Sequence, residues 1–246
     1  MSEEQFAKQV QIVRNLEQVF MDALKKTQDL ISDTGWGYDD IRISVFGKLS
    51  GILHSAVVSA YFLQNHLTHK KWWEETYKDH FKMFEPSVPQ TISCFDGQAR
   101  AGLLLGVTSN AESAFRIIVR ALDSTACGAG NAAFASIYDW LLRKTDELPD
   151  KSTYDLLRHI RNTKLHSDGV FRPPNGKDAK VKYRGETFKF EVNKTFTGFN
   201  WKLVTDLAQD NLDSMLRIVK SSVVASNVKI IDPQKEKKGV RSAFDF

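Results

Sequence analysis

The chain has 246 residues, of which 42% are hydrophobic and 26% charged, and a formal net charge of +4. This length and composition fit one large globular domain, or one domain with a helical extension, and exclude a chain that is disordered throughout. The mild positive charge permits an anionic partner without requiring one, because nucleic-acid binders often have a stronger basic bias.

The first ninety residues predict three helical segments separated by breaks. Apolar residues recur every three or four positions in the first two segments, and aromatic residues do so in the third. These segments are residues 4–31, 38–68 and 72–81. Pro86 and Pro89 follow the third segment and mark the clearest internal boundary.

The rest of the chain predicts four more helices and one β-hairpin. The helices are residues 98–123, 131–145, 152–167 and 200–222, with a Gly-containing turn at 127–131. Ser152 and Asp155 have the spacing of a capping box at the start of the third of these helices. Residues 181–192 alternate apolar and polar side chains around Arg184-Gly185, which predicts the hairpin.

These elements predict an all-α fold with an N-terminal helical extension and a small β-hairpin before the last helix. The predicted organisation has three parts: an N-terminal helical region at 1–88, which either stands apart or packs into the same core, a helical domain at 89–227, and a flexible charged tail at 228–246.

The sequence predicts neither export nor membrane insertion. Residues 1–5 lack the apolar core of a signal peptide, and the nearest apolar run, 57–63, is too short to span a bilayer. Cys94 and Cys127 belong to no CxxC or Cys/His cluster, so we expect reduced, packed thiols rather than a disulfide or a zinc site. The sequence therefore predicts a cytoplasmic protein without a metal, a cofactor or a membrane partner.

The segment Arg161-Asn162-Thr163-Lys164-Leu165-His166 contains the residue types needed to cleave RNA. An imidazole such as His166 exchanges protons near neutral pH, and a guanidinium such as Arg161 makes forked contacts with phosphate oxygens. Attack of a ribose 2′-OH on the adjacent phosphorus needs proton transfer and stabilisation of developing negative charge. No carboxylate cage for Mg²⁺ is evident, so this pattern favours a metal-independent route.

Helical geometry separates the roles of these residues. Arg161 and His166 lie roughly 140° apart around an ideal helix, whereas Asn162 and His166 are neighbours at i and i+4. We therefore expect Asn162 to orient the imidazole while the long Arg161 side chain reaches round the helix.

This segment resembles the R-[polar]-x3-H signature of the HEPN superfamily (higher eukaryotes and prokaryotes nucleotide-binding domain), many of whose members are ribonucleases. Arg161, Asn162 and His166 match the signature, and the resemblance covers about residues 95–225. It implies that Arg161 and His166 are the catalytic pair, that Asn162 supports them, and that the fold is a HEPN-like helical bundle. Glu112 resembles a polar position that some HEPN proteins place near the motif.

The resemblance also implies a biological setting. HEPN ribonucleases bring two copies of the motif together in one cleft, so we expect a homodimer that binds RNA. The family implies phage defence, toxin–antitoxin pairing or RNA processing, with an antitoxin or another regulatory protein as a possible partner. The alternative is a catalytically silent HEPN-like protein that acts as an RNA-binding or scaffold protein.

Basic residues around the motif are candidates for contacts with the RNA backbone. The predicted RNA-binding residues are Arg158, Lys164 and Arg172, and the same basic rim also includes Lys177, Lys180 and Lys182. A solvated surface is the competing interpretation of this rim.

For two other patterns in the N-terminal region, ordinary packed or solvated side chains compete with a functional interpretation. His66-x-x-His69 suggests a metal site, but its spacing to Glu74 and Glu75 matches no metal-binding pattern. The aromatic residues of segment 72–81 have the character of a base-stacking surface, but aromatic side chains at helical spacing favour packing.

Overall fold

The computed structural model describes residues 3–76, 88–166 and 169–231, with the backbone alone for 3–6, 76 and 164–166. The principal helices of this part of the chain are α1 (Glu3–Thr34), α2 (Ile41–Phe62), α3 (Lys70–Thr76), α4 (Val88–Leu122), α5 (Phe134–Lys144), α6 (Lys151–His166) and α7 (Trp201–Lys220), and its strands are β1 (Ala179–Tyr183) and β2 (Glu186–Phe190). The predicted all-α fold with a small hairpin before the last helix is confirmed.

Four short elements connect or extend these helices. A π-helical turn, Leu63–Leu67, continues α2, and a 3₁₀ turn, Leu148–Asp150, leads into α6. A one-turn helix, Ser222–Ala225, follows α7, and the turn Ala126–Gly130 lies between α4 and α5.

One hydrophobic core joins the two halves of the chain. α1 packs on α2, α2 packs on α4, and α7 contacts both α1 and α4. The core runs without interruption from Val13 on α1 to Ile230 after α7. The two N-terminal helices thus support the later helices directly, and the division at residue 88 stays a prediction.

The second helix is more apolar than the sequence analysis predicted. The helical stretch Ile41–Leu67 has 27 residues and a mean hydropathy of 1.4 in its most apolar window, which is enough to cross a membrane by length and composition. The prediction that no apolar stretch reaches this length was wrong, because it counted only uninterrupted apolar residues. Within the fold, 56% of that window is buried, as in a core helix.

A buried ion pair at the start of α2 binds the segment that follows α7. Arg42 is completely buried, and its Nη2 lies 2.6 Å from Oδ2 of Asp40. Nη1 of Arg42 donates to the carbonyl oxygens of Val224 (3.1 Å) and Asn227 (2.9 Å). Because these carbonyls follow α7, the pair anchors the C-terminal segment to the first turn of α2.

Several boundaries differ from the predicted ones. α4 begins at Val88, with Pro89 in its first turn, where a missing N–H removes no hydrogen bond. The capping-box prediction was wrong, because Ser152 is the second residue of α6 and the Asp155 carboxylate accepts a hydrogen bond from the Tyr138 hydroxyl. Residues 77–81 of the predicted aromatic helix and residues 232–246 of the predicted tail lie outside the described residues.

The hairpin packs against the helix that bears the motif. β1 and β2 pair antiparallel with Val181 opposite Phe188, and β1 contacts α6. The connecting residues Arg184 and Gly185 have φ angles of 47° and 81°, as a tight two-residue hairpin turn requires. The hairpin therefore covers one side of α6 close to the motif.

Candidate functional site

The motif occupies the C-terminal half of α6, which places its residues on different faces of one helix. Ile160 and Thr163 are buried against the core, whereas Asn162 between them is exposed. The backbone of α6 remains helical to His166, its last residue. The side chains of Lys164 and His166 lie outside the described residues, so the imidazole's position and its relation to Asn162 stay predictions.

Arg161 is held by a carboxylate from a different helix. Its Nη1 donates to Oε2 of Glu112 on α4 at 2.6 Å, and the two side chains are 25% and 18% exposed. The structure therefore brings the predicted supporting residue into direct contact with the predicted phosphate-binding residue. A fixed guanidinium that still reaches solvent is suited to bind an anion.

The same carboxylate also binds a second arginine. Nη2 of Arg116 lies 2.5 Å from Oε1 of Glu112. Nη1 of Arg116 donates to the carbonyl oxygens of Gly130 (2.6 Å) and Ala132 (2.8 Å). Glu112 thus bridges two guanidiniums, and Arg116 was missed by the sequence analysis although its i, i+4 spacing from Glu112 is the signal for such a pair.

The turn bound by Arg116 has an unusual backbone. Cys127, Gly128, Ala129 and Gly130 all have positive φ angles, of 49°, 60°, 54° and 73°. This left-handed conformation is unfavourable for residues with a Cβ, so Cys127 and Ala129 are strained. The predicted turn is confirmed. The Arg116 side chain connects this strained turn to the Glu112–Arg161 pair.

Arg161 itself retains an unmet hydrogen-bonding requirement. Among the described residues, its Nε is a buried nitrogen without a hydrogen-bond partner. A buried N–H of a charged group without a partner is costly, and only a small fraction of buried polar groups lack one.

A second polar network occupies α6 just before the motif. Nε of Arg158 lies 3.2 Å from the Tyr138 hydroxyl, and its Nη2 lies 2.9 Å from Nε2 of His159. Tyr138 in turn donates to Asp155. Arg158, predicted to contact RNA, is therefore half-buried and engaged in contacts within the protein.

His159 belongs to the core of this network rather than to the proton-transfer chemistry. Its ring stacks on Phe190 with centroids 5.1 Å apart and meets Phe171 edge-on at 5.7 Å. Burial, together with the positive charge of Arg158, lowers the pKa of His159 to about 4. The imidazole is thus neutral at physiological pH, and the sequence analysis did not single it out.

The remaining basic candidates lie on exposed parts of the chain. Arg172, Lys177, Lys180 and Lys182 are exposed in and before the first strand of the hairpin. Their exposure agrees with either interpretation of the basic rim, a phosphate-binding surface or a solvated one.

The N-terminal candidates are not gathered into a site: His66 and His69 are exposed, whereas Trp72 and Trp73 are packed. His66 contacts the rings of Phe62 and Trp72, and the buried Trp73 donates from Nε1 to the carbonyl of Leu67 at 2.8 Å. Within residues 3–76, 88–166 and 169–231, no three His, Cys, Asp or Glu side chains come together as a metal-binding group. Cys94 is exposed, so the prediction that both thiols are packed was wrong for this residue.

No protein-family model, no curated protein and no solved structure matches this chain. The resemblance to the HEPN superfamily therefore depends on the motif at Arg161–His166 and on its helical setting.

Proposed function

We propose that this protein is a metal-independent endoribonuclease of the HEPN type. The observation that carries the proposal is the ion pair between Arg161 and Glu112. It fixes a partly exposed guanidinium on the same helix as Asn162 and His166, within the last two turns. In the proposed reaction the ribose 2′-OH transfers its proton to His166 and attacks the adjacent phosphorus. The bond to the 5′-oxygen breaks, and the departing oxygen takes up a proton from the protonated imidazole. The products are a 2′,3′-cyclic phosphate and a 5′-hydroxyl, and His166 is neutral again.

The role of Glu112 in this proposal is to position Arg161. Ordering a long arginine side chain costs conformational entropy, and an ion pair formed before RNA binds removes part of that cost from the binding step. Arg116 holds the other carboxylate oxygen, so the carboxylate is itself fixed. Arg161 then stabilises the charge that develops on the phosphate oxygens.

The partners in the proposal follow from the chemistry and from the HEPN resemblance. Exposed Arg172, Lys177 and Lys180 lie on the segment after the motif, where they would attract an RNA backbone. A homodimer would bring two motifs to one cleft through a two-fold interface. Such an activity endangers the cell that makes it, which is why an antitoxin or another regulatory partner, and a role in phage defence, belong to the proposal.

A catalytically silent RNA-binding or scaffold protein on the same fold is the second candidate. One observation favours it: Glu112 already occupies Nη1 of Arg161, as in an ion pair that only stabilises the fold. The two candidates differ in whether RNA is cut.

The experiment is to incubate the full chain with mixed RNA in the presence of EDTA. We expect cleavage that His166→Ala reduces by roughly 10²- to 10⁴-fold, the range of general acid–base catalysis. Arg161→Ala should reduce it by roughly 10²- to 10³-fold, the loss expected when a group that stabilises transition-state charge is removed. Arg143→Ala is the matched control, because Arg143 is an exposed arginine paired with Asp139 at i, i+4 on α5. RNA binding without products would favour the silent protein, and loss of cleavage in EDTA would contradict the metal-independent route.

A further inference from the structure

A cavity of about 430 Å³ lies between the hairpin and the segment that follows it. Its volume falls within the range of small-ligand pockets. Aromatic rings and threonine hydroxyls line it together, among them Thr187, Phe188, Thr195, Phe196 and Thr197. This combination differs from a purely apolar gap in a core.

The wall of the cavity is paired with Gly169 and Val170, which are three and four residues after His166. The backbone N–H of Phe196 donates to the carbonyl of Gly169 at 3.2 Å, and Val170 forms a β-bridge with Thr195. Gly169 is three residues after His166, a separation of at most about 10 Å along an extended chain. A molecule in the cavity would therefore lie close to one bound at the motif.

Aromatic rings form the inner side of the cavity. Phe196 stacks on Phe190 with centroids 4.6 Å apart, while Phe188 is only half-buried. Gly198 lies beside these rings: a Cβ there would be 2.9 Å from Cζ of Phe196 and 3.6 Å from Cδ1 of Phe188. The lack of a side chain at this position leaves space beside both rings, of which Phe196 is buried and Phe188 is partly exposed.

Polar groups surround the mouth of the cavity. Thr187, Thr195 and Thr197 are exposed, and each hydroxyl provides one donor and two acceptors. Lys189 is an exposed cation, whereas Lys194 is paired with Glu191. A flat ring with polar edges and an attached phosphate matches this arrangement better than an apolar peptide side chain does.

We propose that this cavity binds one nucleobase of a single-stranded RNA whose neighbouring phosphodiester lies at the motif. The base stacks on Phe188, the threonine hydroxyls bind its edge, and Lys189 contacts the adjoining phosphate. This inference rests on the proposed function and adds a specificity-determining subsite to it.

Binding of an oligoribonucleotide to the full chain carrying His166→Ala tests the stacking contact without cleavage. Stacking of one base on an aromatic ring corresponds to a change in Kd of roughly 5- to 150-fold. We expect Phe188→Leu to weaken binding by a factor in this range and Phe188→Trp to keep it. Tyr61→Leu, which removes an exposed aromatic side chain from α2, should have no effect.

Oligonucleotides that lack a single base at one position after another provide a second measurement. One position should weaken binding to the Phe188 protein by the same factor and leave binding to the Phe188→Leu protein unchanged. Thr197→Val alters only an exposed hydroxyl, so its expected weaker binding does not depend on how well Phe188→Leu folds. Equal affinity of all these variants for RNA would overturn the subsite.

Titration with nucleoside monophosphates, followed by NMR signals of Phe188 and Thr197, separates the two proposals. Shifted signals in a protein that never cuts RNA would keep the subsite and remove the nuclease. Cleavage at the same rate with and without the Phe188 side chain would keep the nuclease and remove the subsite. Unshifted signals together with absent RNA binding would overturn both.

Discussion

Glu112 on α4 and Arg161 on α6 form an ion pair with a 2.6 Å contact, although they are 49 positions apart in the chain. The pair joins the helix that bears the motif to the longest helix of the described fold. Because Arg116 holds the same carboxylate and also binds the strained turn at 127–130, the orientation of Arg161 depends on three neighbouring parts of the structure.

Glu112→Gln should destabilise the fold measurably, because two partly buried guanidiniums lose their shared negative charge. We expect the free energy of unfolding in urea to fall by about 1–3 kcal/mol, the cost of leaving such groups poorly satisfied. The exposed pair Lys70–Glu74 provides the control, since Glu74→Gln should cost less than about 1 kcal/mol. Equal effects of the two changes would mean that Glu112 does not organise the site.

Substitutions at neighbouring positions of the left-handed turn should change the stability in opposite directions. Gly130→Ala should cost more than the ~1–2 kcal/mol of the left-handed conformation, because its Cβ would also lie 3.1 Å from the carbonyl oxygen of Arg116. Gly128→Ala should cost only the left-handed conformation, because no atom lies within 4 Å of a Cβ at this position. Ala129→Gly should raise the melting temperature, since it relieves strain at a φ of 54°. A lower melting temperature for Ala129→Gly would contradict the strained turn.

The buried pair at the start of α2 should be among the most sensitive positions of the fold. Arg42→Met leaves the Asp40 carboxylate buried without its cation, so we expect a loss of about 3–5 kcal/mol in the free energy of unfolding. Lys202→Met removes a cation from a pair in which Lys202 is 78% exposed, and should cost less than about 1 kcal/mol. A small effect of Arg42→Met would show that the segment after α7 is held by other contacts.

The lowered pKa of His159 should make the free energy of unfolding depend on pH. Its folded pKa of about 4 lies below the ordinary value of 6.5, so between these values the unfolded chain binds more protons than the folded chain. The free energy of unfolding should therefore fall as the pH drops from about 6.5 towards 4. Above pH 7 His159 is neutral in both states, so this loss of stability is absent. His159→Phe keeps an aromatic ring against Phe190 and should flatten the decline between pH 7 and 5. The exposed His69→Gln should leave the decline unchanged. An equally steep decline in both variants would contradict a half-buried, neutral His159 imidazole.

The parts of the fold that follow from local periodicity were predictable from the sequence. The hairpin is an example, because Arg184-Gly185 and the alternation on either side of it fix the turn and the register. The π-helical turn at Leu63–Leu67 was not, since its apolar pattern continues that of α2. The start of α4 at Val88 was not predictable from local pattern, because Pro89 has the same signal as a break in the chain, whereas the first turn of a helix accepts proline.

The candidate site was predictable only in part. Arg161, Asn162 and His166 were identified from residue chemistry and the HEPN resemblance, and Glu112 from the resemblance alone. Arg116 and His159 became apparent only through tertiary contacts, with the turn at 127–130 and with Phe190 respectively. The cavity beside Gly198 depends on a loop at 191–200 that has no periodicity, so no sequence pattern indicated it.

The most direct measurement uses a short RNA that the protein cuts at one bond, compared with the same RNA carrying one deoxyribose on the 5′ side of that bond, both in EDTA. The proposed mechanism predicts a 2′,3′-cyclic phosphate from the first substrate and an intact bond in the second, because the nucleophile is missing. Cutting of the deoxy-substituted bond, or full activity of His166→Ala on the first substrate, would contradict it.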